Sequence, residues 1–289
     1  MLDLSYFQNQ NSNVQGFFNG GTWQTWIKPR GAKMVNILCV GSGAGGGGGF
    51  QSTGVRGGGG SGGSGATARL TINANLLPDI LYILPGIGGT NGLGGAPATS
   101  GSSGQNSFIT LIPNTGSVSN VVLRSGTIPA TGGAAGTGSA GGVAGAAETI
   151  SVIANNIFAN LGTFTFQAGT AGQGGWFANT VNTTPSNFLV GAGGGGGGSN
   201  GAVTATGVFP GLPAVTTAEA NGQNGPIYYK PILMLYGGRG GVGGANGGNA
   251  GNGAPGCGGG GGGTSTNIGV NAGNGGRGGD GFVIITTSL

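Results

Sequence analysis

Apolar and polar residues alternate in short runs along this chain, and the runs are separated by blocks made almost wholly of glycine. The run 34–40 (MVNILCV) is apolar with a polar interruption, and 67–74 (TARLTINA) alternates more regularly. The runs 79–84 (DILYIL), 107–112, 119–124 and 162–167 share that character, and 281–287 (GFVIITT) closes the chain. β-branched and aromatic residues at period two, bounded by glycine, predict strands. One stretch has another period: in 148–161, Ile150, Ile153, Ile157, Phe158 and Leu161 share one helical face. Gly162 stands where a helix would end. A pair of strands is the rival reading of that stretch.

Between these runs lie glycine blocks at 41–49, 57–65, 86–95, 131–145, 191–201, 236–263 and 271–281. Glycine-rich sequence usually means a flexible linker, because ordering glycine costs more backbone entropy than ordering any other residue. Two features oppose that meaning here. Disordered chains are charge-rich and poor in β-branched residues, whereas charged residues are 5% of this chain. Strand-forming runs left unpaired would also aggregate. A left-handed extended helix with three residues per turn and about 3.1 Å rise has no internal hydrogen bonds. Its N–H and C=O groups must then be met by neighbouring chains. Glycine alone lets several such chains approach that closely. At that rise, blocks of roughly 8–13 residues span about 25–40 Å. The expectation is a mostly β protein with irregular extended structure, in which a small β-sandwich flanks a bundle of polyglycine-type, polyproline-II-like helices. Residues 21–289 form one glycine-rich domain, closed by the strand at 281–287.

Composition narrows the function further. Glycine supplies 77 of 289 residues, against about 7% in ordinary proteins. There is no histidine, and the five carboxylates (Asp3, Asp79, Glu148, Glu219, Asp280) are scattered in sequence. With the commonest general base missing and no serine beside an activating partner, an enzyme is not expected. No cofactor is expected either. The net charge of +4 comes from isolated cations, of which Lys28, Arg30 and Lys33 are the only cluster. Nucleic-acid binders concentrate Lys and Arg in runs or on one face, so no nucleic-acid partner is expected and the cluster reads as a solvated turn. Cys39 reads as a buried hydrophobe and Cys257 lies among glycines. Without a CxxC pair no zinc site is expected, and a disulfide between the two stays open. The N-terminus lacks the pattern of a signal peptide, and no apolar stretch reaches the length of a membrane helix.

Two motif matches are weak. Residues 41–46 fit GxGxxG, but more glycine follows where a helix should begin. Residues 275–283 fit a calcium-binding nonapeptide that works only in stacked copies. A salt link from Asp280 to Arg277 or Arg239 is the better expectation, and no metal site is assigned. Among the aromatics, Phe17, Phe18, Trp23 and Trp26 read as core. Trp176, Phe177, Phe188, Phe209, Tyr228 and Tyr229 lie between glycine blocks and read as loop residues. Exposed aromatics on a rigid scaffold suit binding of sugars or protein loops, and local packing is the alternative.

The segment 23–32 leading into 34–49, the element 77–89 and the closing 275–286 together resemble the glycine-rich domains of bacteriophage tail proteins. The resemblance spans most of 20–289. It implies a virion protein, related to T-even-type tail-fibre adhesins that carry receptor-binding loops on bundled polyglycine helices. On that likeness, 173–189 and 203–230 become the recognition segments, directed at a host-surface glycan or outer-surface protein. On the same likeness residues 1–20 would be an N-terminal attachment arm that joins other virion proteins, and a homo-oligomer is compatible. Two departures stand out: the Ser/Thr/Asn-rich inserts carry few aromatics, and 105–170 reads as more strand- and helix-like than a plain glycine lattice. They suit the alternative of a decoration or minor structural protein of head or tail. An ice-binding or matrix protein is a remoter option.

Overall fold

The computed structural model describes residues 12–54, 56–149, 161–172, 174–175, 221–228, 234–267 and 269–289. The described residues are mostly β and irregular, with helix limited to two short 3-10 turns, Ala74–Leu76 and Val118–Asn120. The strands are β1 (Ser12–Phe17), β2 (Gln24–Ile27), β3 (Met34–Val40), β4 (Thr67–Asn73), β5 (Ile80–Leu84) and β6 (Phe108–Thr110). β7 (Val121–Arg124), β8 (Gly162–Gln167), β9 (Ile227–Tyr228), β10 (Met234–Leu235) and β11 (Phe282–Ser288) follow.

Two antiparallel sheets dominate. One has the order β1-β11-β3-β4-β8 and the other β2-β5-β6-β7, while β9 and β10 form a separate two-strand ribbon. Period-two alternation divides the first sheet's side chains between two cores. Val35, Ile37 and Cys39 of β3 and Val283 and Ile285 of β11 join Trp26, Leu81, Ile83, Ile109 and Leu123 of the second sheet. The intervening Val40, Phe282 and Ile284 meet Leu235, Ala254 and Cys257 on the opposite face. The strands expected at 67–74, 79–84, 162–167 and 281–287 are present with nearly those bounds. The run 107–112 shortens to Phe108–Thr110, where a register shift between Ile109 and Thr110 interrupts pairing with β7. β1 falls inside the stretch expected to be an arm. Ser12 to Phe17 pair residue by residue with the closing strand, Ser12 opposite Ser288 and Phe17 opposite Val283. Residues 150–160 of the helix candidate lie outside the described residues; Glu148 and Thr149 are not helical.

The glycine blocks continue the strands. Val40 pairs with Thr67 and Leu84 with Phe108, so the hairpins β3–β4 and β5–β6 are each joined by two glycine segments running out and back. The segment 41–49 is the centre of the array. Its N–H groups at Gly41, Ala44 and Gly47 donate to the carbonyls of Ala66, Gly63 and Gly60. Those at Ser42, Gly45 and Gly48 donate to Gln105, Ser102 and Thr99. Those at Gly43, Gly46 and Gly49 donate to Gly279, Gly276 and Gly273. Each partner number falls by three per step, so these three neighbours run antiparallel to 41–49. Its carbonyls accept from Gly89, Gly92 and Gly95, from Gly133 and Gly136, and from Gly259 and Gly262. Here the numbers rise by three, so those three neighbours run parallel. All nine donated bonds are 2.8–3.1 Å long. Six segments thus surround the central one, and its backbone direction of bonding turns by a third at every residue.

Close approach is why glycine is needed there. A Cβ on Gly45 would meet the Thr90 carbonyl, on Gly46 that of Gly260, on Gly47 that of Ala134 and on Gly48 that of Leu93, all inside 3.0 Å. Successive residues face different segments, so no rotation of the central one relieves the clash.

Candidate functional site

The array has two unlike ends. One end joins the sheets. At the other, among the described residues, connections gather at 50–54, 95–99, 137–140, 244–246 and 265–267. They are tied together by Gln51 N–H to the Gly95 carbonyl (3.1 Å), Ser52 N–H to Ser265 (3.3 Å), Gly57 N–H to Thr137 (3.0 Å) and Asn267 N–H to Ala245 (3.2 Å). The Gln51 side chain donates to the Asn267 carbonyl at 2.8 Å, and the Ser265 hydroxyl to Ala245 at 2.8 Å. This tip presents small polar side chains on backbone anchored by the lattice.

The stretch 176–220, which holds most of the proposed recognition residues, is flanked by described residues near this tip. Gly175 donates to the Gly142 carbonyl at 2.7 Å, and Gly142 donates to Gly58 at 2.8 Å, beside the 50–54 turn. On the other flank Asn221 accepts from the Asn249 N–H at 2.8 Å. Its neighbour Gly222 donates to the Asn249 carbonyl at 2.7 Å. Trp176, Phe177, Phe188, Phe209 and Tyr229 lie outside the described residues. Tyr228 is in strand β9, opposite Met234 of β10, rather than in a loop. The adjoining Ile227 explains this, because it packs on the second core cluster beside Leu235 and anchors the ribbon. Of the other aromatics, Phe17 and Trp26 are core residues, and Phe18 stacks on Phe282 with centroids 5.8 Å apart.

Outer segments of the array face water on one side, and their outward N–H groups are met by side chains instead of backbone. Asn221 and Asn224 accept from the N–H groups of Asn249 and Asn252, which in turn accept from Asn274 and Arg277. Elsewhere on the rim Ser102 accepts from Thr90, Thr99 from Leu93 and Thr131 from Ala146, each at 2.7 Å. The signal was present in the sequence as asparagines three residues apart, at 221 and 224, at 246, 249 and 252, and at 271 and 274. A three-residue repeat keeps one face of each segment outward.

At the sheet end, the fully buried Glu148 joins the layers. Its Oε2 accepts from the Ala66 N–H at 2.6 Å and its Oε1 from the Ser125 hydroxyl at 2.7 Å. Its own N–H donates to Ser64 at 3.0 Å. Burial pushes its carboxyl up to about 7, against the Ser125 and Ala66 hydrogen bonds and the charge of Arg124, which pull it down. Burial, and then the charge of Glu148, raise the nearby Cys39 thiol well above its usual range. Cys39 and Cys257 are both free and buried. The expected salt link is present: Arg277 Nη2 donates to Asp280 Oδ1 at 2.9 Å. Lys28 pairs with Asp79 at 2.9 Å and donates to the Leu77 carbonyl at 2.8 Å. Among the described residues no helix is long and apolar enough to cross a membrane, and no His, Cys, Asp and Glu group could hold a metal ion.

Two antiparallel sheets whose hairpin connections are mutually hydrogen-bonded glycine segments define a glycine-rich β protein. A family model described as a glycine-rich domain matches residues 18–288, and the chain belongs to that family. No curated protein matches it.

Proposed function

We propose that this chain is a non-enzymatic virion structural protein, a bacteriophage tail-fibre or tail-tip component that holds variable loops rigidly for recognition of a host surface. In this reading the glycine segments are polyglycine II-type helices in hexagonal packing, and the two sheets form a sandwich that mounts them. The observation that carries it is the polarity of the array. Among the described residues the connections gather at one end, and both flanks of 176–220 lie close to that end. A mount whose backbone is hydrogen-bonded on all sides loses little entropy when its loops engage a partner, which favours affinity. The partner would be a glycan or a protein of the host's outer surface, met by Trp176, Phe177, Phe188 and Phe209 on the intervening stretch.

The sheet end supports an attachment role. Ile27 and Ile80 face each other across β2 and β5 and are 64% and 45% exposed. Contiguous exposed apolar surface marks contact sites, and this pair would lie at the centre of one. β1 begins at this same end, and the arm of residues 1–20, to which it belongs, would join the chain to other virion proteins. The same pair of isoleucines favours a second reading, a decoration or minor structural protein of head or tail that binds neighbouring subunits.

The test is replacement of 203–220 by a short Gly-Ser linker in the whole chain, leaving Asn221 and the lattice untouched. Loss of binding to host cells with an unchanged melting temperature is expected. Host-cell binding that survives the replacement refutes recognition through this stretch.

A further inference from the structure

We propose that the cleft between 252–255 and 277–281, closed on one side by Phe18, binds a pyranose ring of a saccharide. It lies at the junction of sheet and lattice, away from the tip. It encloses about 300 Å3 and is lined by Phe18, Asn252, Pro255, Arg277 and Asp280 among others, at the small end of ligand clefts. A pyranose has an apolar C–H face and a rim of hydroxyls that each donate and accept. Its recognition needs a flat apolar surface and fixed polar groups of both kinds.

The cleft supplies both. Phe18 is held by its stack on Phe282, interplanar angle 23°, and Pro255 adds a second apolar wall. Asp280 uses Oδ1 to accept from the Gly88 N–H at 2.8 Å and from Arg277 at 2.9 Å. That leaves Oδ2 to accept from a hydroxyl. Asn252 uses Oδ1 to accept from the Arg277 N–H at 2.8 Å, which leaves its Nδ2 to donate. Arg277 gives one guanidinium N–H to Asp280 and keeps the others. Each polar side chain is therefore anchored to the lattice by one atom and offers another, so little ordering remains to be done on binding. The Arg277–Asp280 pair is neutral as a unit. An uncharged polyol suits it better than a phosphate or carboxylate, which would have to compete with Asp280 for the guanidinium.

The saccharide's source as a host-surface glycan rests on the reading above; the cleft's chemistry does not. The experiment is saturation-transfer NMR on the full chain with methyl glycosides of glucose, galactose, mannose and N-acetylglucosamine. Saturation of at least one glycoside is expected. Asn252→Asp keeps the Oδ1 acceptor and removes the Nδ2 donor, and Arg277→Ala removes an exposed side chain while keeping its N–H. Each should weaken that binding about 10-fold, the scale of one lost hydrogen bond to a charged or fixed group, with melting temperature unchanged. No saturation of any of the four glycosides, or saturation unaltered in both variants, overturns the proposal. Host-cell binding measured on the same samples separates the two readings: if it persists where no glycoside binds, the cleft alone is refuted.

Discussion

Gly47→Ala tests the lattice at its centre. Gly47 donates to the Gly60 carbonyl at 2.8 Å and accepts from the Gly262 N–H at 2.9 Å. Its missing Cβ points at the Ala134 carbonyl oxygen, inside 3.0 Å. Backbone is the obstacle, so the segment 130–137 has to retreat as a body. Three of the bonds that hold it lie on the side of the clash and would be stretched: Gly60 N–H to Ala134 (2.9 Å), Gly133 N–H to Gly45 (2.9 Å) and Gly136 N–H to Gly48 (3.0 Å). Stretching three buried bonds costs about 1 kcal/mol each, with about 1–3 kcal/mol more for any group left unpaired. Reduced freedom of the unfolded chain offsets only about 0.4–1 kcal/mol. The net loss is about 3 kcal/mol, a large share of a typical ~5–15 kcal/mol stability. In a chain of this size that lowers Tm by roughly 6–12 °C. Gly54→Ala is the control, since its Cβ would meet nothing nearer than the Ser52 hydroxyl at 3.8 Å; a change within about 0.5 kcal/mol is expected. Melting followed by circular dichroism reads both. Equal Tm values for Gly47→Ala and Gly54→Ala would refute the close-packing argument.

Glu148 makes stability depend on pH. Its folded value of about 7 lies above the ordinary 4.5, so its contribution is fully present below about pH 4.5 and is lost as pH rises through 7. The size is on the order of 3 kcal/mol; Glu148→Gln should flatten that slope in Tm scans from pH 4 to 8, and parallel curves for the two proteins would contradict the assignment. On the rim, Asn274→Ala removes the acceptor of the Gly94 N–H, 2.9 Å away. A loss of about 1 kcal/mol is expected, by analogy with losing a helix cap, while Asn274→Asp, which keeps Oδ1, should lose less in the same melting assay.

The strands were legible because their signal is local. The run 281–287 is β-branched, apolar and bounded by glycine, and β11 occupies Phe282–Ser288. Burial of Cys39 followed from its apolar neighbours in the same way. β1 was not legible: Ser12, Asn13 and Gln15 carry no strand pattern, and the strand exists because β11 offers an edge whose residues lie more than 260 positions away. Glu148 shows the same limit. Its sequence context suits a helix start, yet what fixes it is Ala66 and Ser125, brought to it by two different hairpins. Position between glycine blocks, a local criterion, is what marks the aromatics from Trp176 to Tyr229 as loop residues. Tyr228 departs from it because the contacts of Ile227 with the second core are not local.

The three-residue phase of the lattice also decides where the chain can change length. Gly45 to Gly49 are identical residues, so one extra glycine after Gly47 can slip along the segment and emerge at the 50–54 turn. There it disturbs only the ends of the array, such as the Phe50 N–H to Gly57 bond at 3.2 Å and the Gln51 N–H to Gly95 bond at 3.1 Å. The cost should be about 1 kcal/mol. The same glycine inserted between Gly43 and Ala44 cannot slip freely. It moves the Ala44 methyl into the place of Gly45, where a Cβ meets the Thr90 carbonyl. Holding Ala44 in place instead forces a bulge in the middle of the lattice, with buried N–H groups unpaired. Either outcome costs about 2–4 kcal/mol. Comparing the Tm of the two insertion variants checks this, and equal losses would mean that the phase is not fixed by side chains. If the difference holds, changes of length are absorbed at the tip and resisted at the sheet end.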